Sequence, residues 1–154
     1  MNIYITYGVG EGPTKLAAFD SALFNAGIAN FNLIYLSSII PPNSKIIQRK
    51  LTWNEKSFGN KLYVVISHLE FGKLSKSAYV GLGWIYDKKI GGIFAEHNSS
   101  SRKKLIFKLE NTLGSMAKNR SIKNKPIMKV LRIDCKKLPK CGLIVAVYKD
   151  ENWI

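Results

Sequence analysis

Cysteine and histidine are both scarce in this sequence of 154 residues. Cys135 and Cys141 are too few for a four-cysteine zinc site, and without an export signal we expect them to be reduced thiols. His68 and His97 stand in no HExxH pattern, and the chain contains no GxSxG pattern. The sequence therefore predicts no metal centre, and it lacks the motifs of zinc peptidases and serine hydrolases.

Long apolar runs are also missing. No uninterrupted stretch reaches the roughly 20 residues that a membrane-spanning helix needs. The first residues, Met1–Tyr7, lack the basic and apolar regions of a signal peptide. We therefore expect a protein of the cytoplasm.

Acidic residues are few, with 10 against 24 lysines and arginines, and the formal net charge is +14. The excess is uneven, because residues 1–37 carry one base and two acids whereas residues 102–140 carry thirteen bases and two acids. Such a basic region fits either a nucleic-acid surface or a lysine-rich face turned to solvent. Aromatic residues do not alternate with the bases as in a stacking platform, which favours the solvated face.

The apolar pattern predicts a single domain of the α+β class with a large mixed or antiparallel sheet. Strands are predicted at residues 2–7, 31–40, 62–68, 78–86, 90–96, 129–135 and 143–148. Two helices are predicted, one capped by Thr14 and one starting at the serines of 99–101. Their expected buried faces are Leu16, Phe19, Leu23 and Phe24 in the first and Leu105, Ile106, Leu109, Leu113 and Met116 in the second.

Three glycines, at positions 8, 10 and 12, separate the first predicted strand from the first helix. No Lys-Ser/Thr pair follows them as in a P-loop, and no acid stands at the spacing of a dinucleotide-binding motif. The cluster predicts instead a tight turn whose backbone passes close to another part of the chain.

Two acidic residues stand where the pattern leaves their role open. Asp20 lies at the edge of the apolar stripe of the first helix, or within it. It is either a surface acid paired with a base or a pocket acid that receives a cationic ligand. Glu96 ends a predicted strand and is either a surface residue or an active-site acid, and its neighbour His97 should point to the opposite face.

Four segments together resemble one known family. They are Ala18–Ile28, which includes Ala-Phe-Asp and Ala-Gly-Ile, Asn32–Pro42, which includes Asn-Leu-Ile and Ser-Ser-Ile-Ile-Pro-Pro, Gly92–Glu96, and Cys141–Tyr148. In order and spacing, with the glycine cluster before them, they are similar to the pyruvoyl-dependent arginine decarboxylases. The resemblance is dense over residues 8–42 and thin over residues 43–77 and 98–130.

This resemblance implies that the chain is a proenzyme that cuts itself. In the family the second serine of the pair attacks the carbonyl before it, and ester formation, elimination and hydrolysis convert that serine into a pyruvoyl group. Here Ser38 becomes the covalent cofactor, and the cut between Ser37 and Ser38 yields a β chain of residues 1–37 and an α chain of residues 38–154. Asn32 matches the family asparagine that stabilises the oxyanion, and two-residue periodicity would place it on the strand face of Ser38. Pro41-Pro42 ends the strand just beyond.

The resemblance also implies the reaction. The pyruvoyl group forms a Schiff base with L-arginine, which loses CO2 and becomes agmatine. Glu96 matches the catalytic glutamate that protonates the carbanion equivalent left by loss of CO2, and Asp20 matches the aspartate that faces the guanidinium from a neighbouring subunit. Family members are α/β sandwiches with helices outside the sheets, assembled as trimers or pairs of trimers.

Two alternatives remain beside this interpretation. The same chemistry could act on histidine, ornithine or lysine. A non-catalytic relative could instead bind nucleic acid or a partner protein through the basic surface. The presence of Asn32, Ser37, Ser38, Glu96 and Asp20 together argues against a degenerate copy.

Overall fold

The computed structural model describes residues 1–52 and 54–154, and in them two β-sheets stack face to face with one helix outside each. The elements in chain order are β1 (Asn2–Glu11), α1 (Lys15–Ala26), β2 (Asn32–Tyr35), β3 (Ile39–Ile40), β4 (Lys45–Gln48), a short 3-10 helix (Glu55–Ser57), β5 (Lys61–Phe71), β6 (Lys76–Asp87), β7 (Gly91–Ser99), α2 (Arg102–Lys118), β8 (Ile127–Cys135) and β9 (Lys140–Glu151). This arrangement confirms the predicted α+β class and the sandwich with outer helices. Among the described residues, no helix is long and apolar enough to cross a membrane.

The two sheets differ in strand direction. The five-stranded sheet has the order β2-β5-β9-β1-β4 and is mixed, because β1 pairs with β4 and β2 with β5 in parallel. The four-stranded sheet has the order β3-β7-β6-β8, and all its pairs are antiparallel. β9 forms the centre of the first sheet, between β1 and β5.

The core lies in three apolar layers. Successive residues of a strand face opposite sides of a sheet, so Val64 packs beneath α1 while Val65 enters the layer between the sheets. That central layer also holds Phe94 of β7, which is fully buried. On the far side, α2 covers the four-stranded sheet with Leu105, Leu109, Leu113 and Ala117, and Ser101 caps the helix as predicted.

The glycine cluster does not form the predicted tight turn. β1 continues through Gly8 and Gly10, and its pairing with β9 extends as far as Glu11 opposite Lys140. The predicted close approach is present, because a Cβ on Gly8 would lie 2.1 Å from the carbonyl oxygen of Ala22 and one on Gly10 would lie 2.2 Å from the Ala22 nitrogen. The glycines therefore allow α1 to lie directly on the strand.

The predicted buried face of the first helix was partly wrong for the same reason. Thr14 caps α1 as expected, its Oγ1 accepting from the Ala17 nitrogen at 3.1 Å. Leu16 and Phe24, however, are 75% and 59% exposed. A helix this close to a sheet has room only for small side chains beneath it, and its buried residues are Ala18, Ala22, Leu23 and Ala26.

The predicted strand over residues 31–40 is two strands. β2 ends at Tyr35 in the five-stranded sheet, and β3 begins at Ile39 in the four-stranded sheet. Residues 36–38 cross from one sheet to the other, and β3 stops before Pro41 as predicted. The crossing segment carries the Ser37–Ser38 pair.

Candidate active site

Ser38 has an unusual backbone conformation. Its φ of 71° places a residue with a side chain in the left-handed region, where this typically costs about 1–2 kcal/mol. Contacts with β7 hold this conformation. The Ser38 carbonyl accepts a hydrogen bond from the Phe94 nitrogen at 2.9 Å, and the next residue, Ile39, pairs with Ile93 of β7.

The side chain of Ser38 meets a carboxylate. Its Oγ donates to Oε1 of Glu96 at 2.6 Å, a short distance typical of a hydroxyl bonded to a charged acceptor. β7 positions this carboxylate, because Glu96 lies two residues after buried Phe94 on the same strand face. Glu96 is itself partly buried. The pair brings together a nucleophile and a proton acceptor at a strained peptide.

Tyr148 completes this site, and the sequence interpretation gave it no role. Its hydroxyl donates to the Ile39 carbonyl at 2.8 Å, and its ring contacts Phe94 edge-on with centroids 6.4 Å apart. Burial, and then the nearby Glu96 carboxylate, raise the pKa of Tyr148 far above its usual value, so the hydroxyl stays a donor. The alternation of the last strand could have indicated that Tyr148 faces the central layer, because it follows inward-facing Ile144 and Ala146 at two-residue steps.

Asn32 lies apart from this group within one chain. It begins β2, where its Nδ2 donates to the Gly59 carbonyl at 2.6 Å and its backbone nitrogen donates to the Asn60 carbonyl. The reasoning that put Asn32 and Ser38 on one strand face was wrong, because the chain changes sheets between them. Its expected role as oxyanion donor remains a prediction.

Asp20 is an exposed residue on α1, the helix outside the five-stranded sheet. Among the described residues it takes part in no ion pair, so the interpretation as a paired surface acid does not hold. Asp20 also takes no part in the hydrogen bond between Ser38 and Glu96. An unpaired, accessible carboxylate remains available to a cationic ligand or to another subunit.

The two histidines lie outside the Ser38 site. His97 points away from Glu96, as predicted, and its Nε2 lies 2.8 Å from Oγ1 of Thr112 on α2. His68 packs its ring against Phe19 and bonds to Glu70 at 3.0 Å. Cys135 and Cys141 are buried free thiols, as expected, and burial raises the pKa of Cys141 to about 12.

Taken together, the fold and the site define a two-sheet α/β sandwich that presents a carboxylate-activated serine on a strained crossing between its sheets. The model of one family, pyruvoyl-dependent arginine decarboxylase, matches residues 2–148. The chain belongs to this family, which confirms the resemblance in sequence.

Individual relatives of this chain carry the same family name. A pyruvoyl-dependent arginine decarboxylase of Thermoplasma volcanium is 38% identical over 99 residues, which are 63% of this chain and 54% of the relative. One of Methanothermobacter thermautotrophicus is 46% identical over 69 residues, or 45% of this chain and 43% of the relative. One of Methanocaldococcus jannaschii is 34% identical over 116 residues, or 75% of this chain and 67% of the relative. The chain thus spans about half the length of the first two.

The family name implies a covalent pyruvoyl group, and Ser38 fits as its source. The Ser38 hydroxyl contacts a proton acceptor, and its backbone has a left-handed conformation, a costly state of the kind that clusters at functional sites. The carbonyls of Ser38 and Ile39 are each fixed by a hydrogen bond, so the residue that would carry the group has a defined position.

Proposed function

We propose that this chain is a proenzyme that cuts itself between Ser37 and Ser38 and then decarboxylates L-arginine to agmatine and CO2. The observation that carries the proposal is the 2.6 Å hydrogen bond from Ser38 to Glu96 at a residue with φ of 71°. It supplies an activated nucleophile at the bond where the family resemblance expects cleavage.

The first step uses only groups of the chain. Ser38 Oγ gives its proton to Glu96 and bonds to the carbonyl carbon of Ser37. The peptide C–N bond breaks, and the Ser38 nitrogen takes up a proton, so an ester and a free amine result. Breakage of the Cβ–Oγ bond then releases residues 1–37 as a carboxylate, with one proton lost from Cα and one gained by Cβ. Water displaces the nitrogen as ammonia and leaves a pyruvoyl group on residues 38–154.

Once formed, the pyruvoyl group supplies an electron sink for the α-carbon of an amino-acid substrate. Cleavage removes the Ser38 hydroxyl, so Oε1 of Glu96 loses its partner and faces the place where the substrate reacts. Its contact with Ser38 supports Glu96 as the acid that delivers the proton replacing CO2. Phe94 and Tyr148 contact each other beside this pair, and each donates a hydrogen bond to the backbone at Ser38 or Ile39.

Substrate binding and assembly are proposed together. Asp20 would bind the guanidinium of arginine in the site of a neighbouring subunit of a trimer, or of a pair of trimers. Its exposure on the helix outside the five-stranded sheet supports a role between chains. Leu16 and Phe24, large apolar side chains exposed on the same helix, support burial of this surface in an assembly.

The buried free thiols of Cys135 and Cys141 support a reducing compartment, and we place the protein in the cytoplasm. The basic residues of 102–140 need no ligand to explain them, because α2 turns its lysines to solvent. Binding of nucleic acid is therefore no part of the proposal.

The test is intact-mass measurement of the purified protein, followed by an assay of CO2 release. We expect two fragments, residues 1–37 and 38–154, the second with no free amino terminus. A single 17.3 kDa chain after long incubation would contradict the proposal. Assays with arginine, histidine, ornithine and lysine then decide the substrate, and preference for any of the last three would contradict the assignment of arginine.

A further inference from the structure

Two hydrogen bonds hold the chain on the carboxyl side of the proposed cleavage bond. The first is a backbone bond, from the Phe94 nitrogen to the Ser38 carbonyl at 2.9 Å. The second comes from a side chain, the Tyr148 hydroxyl, which donates to the Ile39 carbonyl at 2.8 Å. Tyr148 belongs to β9 of the five-stranded sheet, whereas Ile39 belongs to β3 of the four-stranded sheet. The bond therefore ties the start of β3, immediately after the crossing segment, to the opposite sheet.

The strained residue depends on such ties. Ser38 keeps φ at 71° only while its neighbours oppose relaxation to an ordinary conformation. β3 has only two residues, Ile39 and Ile40, so its pairing with β7 is a weak restraint by itself. Attack on the Ser37 carbonyl requires Ser38 Oγ to stay within reach of that carbon and of Glu96 at the same time.

Tyr148 is positioned to add a second restraint to the weak pairing of β3 with β7. Its ring rests edge-on against Phe94, and Phe94 rests against Trp84 with centroids 6.0 Å apart. These aromatic contacts lie in the layer between the sheets and hold the Tyr148 ring in place. A rigid ring with its hydroxyl on the Ile39 carbonyl limits rotation about the backbone that follows Ser38.

We propose that Tyr148 is a positioning residue for self-cleavage, holding the Ile39 carbonyl so that Ser38 stays aligned on the Ser37 carbonyl. The inference rests on the proposed function, since it concerns the rate of the same cleavage. It assigns Tyr148 to the step before the ester forms, and it gives the residue no contact with the reacting atoms.

A matched control lies in the same layer. Tyr86 of β6 is also partly buried against the central core, and its hydroxyl donates to the Ser44 carbonyl at 2.9 Å. Tyr86→Phe thus removes the same kind of bond, from a tyrosine hydroxyl to a backbone carbonyl. It does so beyond Pro42, several residues after the cleavage bond.

The experiment follows pulse-labelled full chains, made by cell-free translation, as they convert into two fragments. We expect Tyr148→Phe to slow conversion by about tenfold or more, as loss of one hydrogen bond and of alignment would do. Tyr86→Phe should stay within about twofold of the parent chain. Equal rates for the two variants would overturn the proposal. If the parent chain does not cleave, the proposed function fails instead, so the two failures are distinguishable.

Two further measurements separate positioning from a merely structural role. In a Ser38→Ala background, which cannot cleave, Tyr148→Phe and Tyr86→Phe should lower the thermal midpoint by similar amounts. A far lower midpoint for Tyr148→Phe would overturn the proposal. Hydroxylamine cleaves esters, so it should leave the slow rate of Tyr148→Phe unchanged. If hydroxylamine restored the parent rate, Tyr148 would act on a step after ester formation, and this result would also overturn the proposal.

Discussion

Ser38 and Glu96 are 58 positions apart in the chain, yet Ser38 Oγ lies 2.6 Å from Glu96 Oε1. Two structural features produce this contact. The chain leaves the five-stranded sheet after Tyr35, and it joins the edge of the four-stranded sheet beside β7. The serine therefore lies beside the strand that carries the carboxylate, and the left-handed backbone of Ser38 is at the end of the same crossing.

The first prediction concerns the proton acceptor. Glu96→Gln keeps the size of the side chain and the contact with Ser38 but removes the carboxylate, so self-cleavage should slow by about 10²–10⁴-fold. The measurement is the conversion of full-length chain into fragments with time. Glu70→Gln is the control, because Glu70 bonds to His68 and not to Ser38. Cleavage of Glu96→Gln at the parent rate would exclude Glu96 as the base.

The second prediction measures the strain at Ser38. Neither Ser38→Gly nor Ser38→Ala has a nucleophile, so both should remain full-length. Glycine adopts a positive φ without steric cost whereas alanine does not, so Ser38→Gly should be more stable by about 1 kcal/mol. Urea denaturation of the two purified chains provides the comparison. If Ser38→Ala were the more stable of the two, the left-handed conformation at residue 38 would be contradicted.

The third prediction concerns the close packing of α1 on β1. In Gly10→Ala the new Cβ would meet the Ala22 nitrogen at 2.2 Å, and backbone cannot move aside as a flexible side chain can. We expect destabilisation by about 3 kcal/mol or more. Gly114→Ala on α2 is the control, because nothing lies within 4 Å of its Cβ, and alanine should stabilise the helix by up to about 1 kcal/mol.

Both glycine variants are best compared in the Ser38→Ala background, where cleavage does not complicate denaturation. A small effect of Gly10→Ala, similar to that of Gly114→Ala, would show that α1 does not lie directly on β1.

Local signals predicted much of this fold, because they depend on neighbouring residues. Thr14 and Ser101 cap the helices as expected, each side chain accepting from a backbone nitrogen three residues later. β4 was not predicted, because its four residues exist as a strand only through pairing with β1.

Features that depend on distant residues were predicted less well. The buried face of α1 follows from the glycines of β1 beneath it, and not from the largest apolar side chains of the helix. Asn32 was assigned to the face of Ser38 because nothing local indicates a change of sheet. Ser38 and Glu96 were found through the family resemblance, whereas Tyr148 was missed because its role depends on a contact 109 positions away.

The fourth prediction concerns acid stability. Hydrogen bonds from Lys149 and then Lys61, each 2.6 Å from the Glu151 carboxylate, lower the pKa of Glu151 from its ordinary 4.5 to about 2. A lowered pKa in the folded state stabilises the fold above the unfolded value, and this contribution is lost as pH falls from about 4.5 towards 2. Glu151→Gln should therefore lose less stability over that interval than its parent does.

Urea midpoints at several pH values, again in the Ser38→Ala background, provide this measurement. Glu55→Gln is the control, since Glu55 lies exposed on the short 3-10 helix and is in none of the ion pairs of the described residues. If the urea midpoints of Glu151→Gln and its parent fell by the same amount as the pH is lowered, the lowered pKa of Glu151 would be contradicted.

The fifth prediction tests whether Asp20 acts between subunits. Asp20→Ala should still cleave, because Asp20 makes none of the described contacts of Ser38 or Glu96, but it should lose activity towards arginine. Ser38→Ala retains Asp20 and has no pyruvoyl group. If each active site takes Ser38 from one chain and Asp20 from another, co-refolded mixtures of the two inactive variants should recover part of the parent activity. Activity in the mixture no higher than the sum of the separate variants would place Asp20 in the site of its own chain, or outside any site.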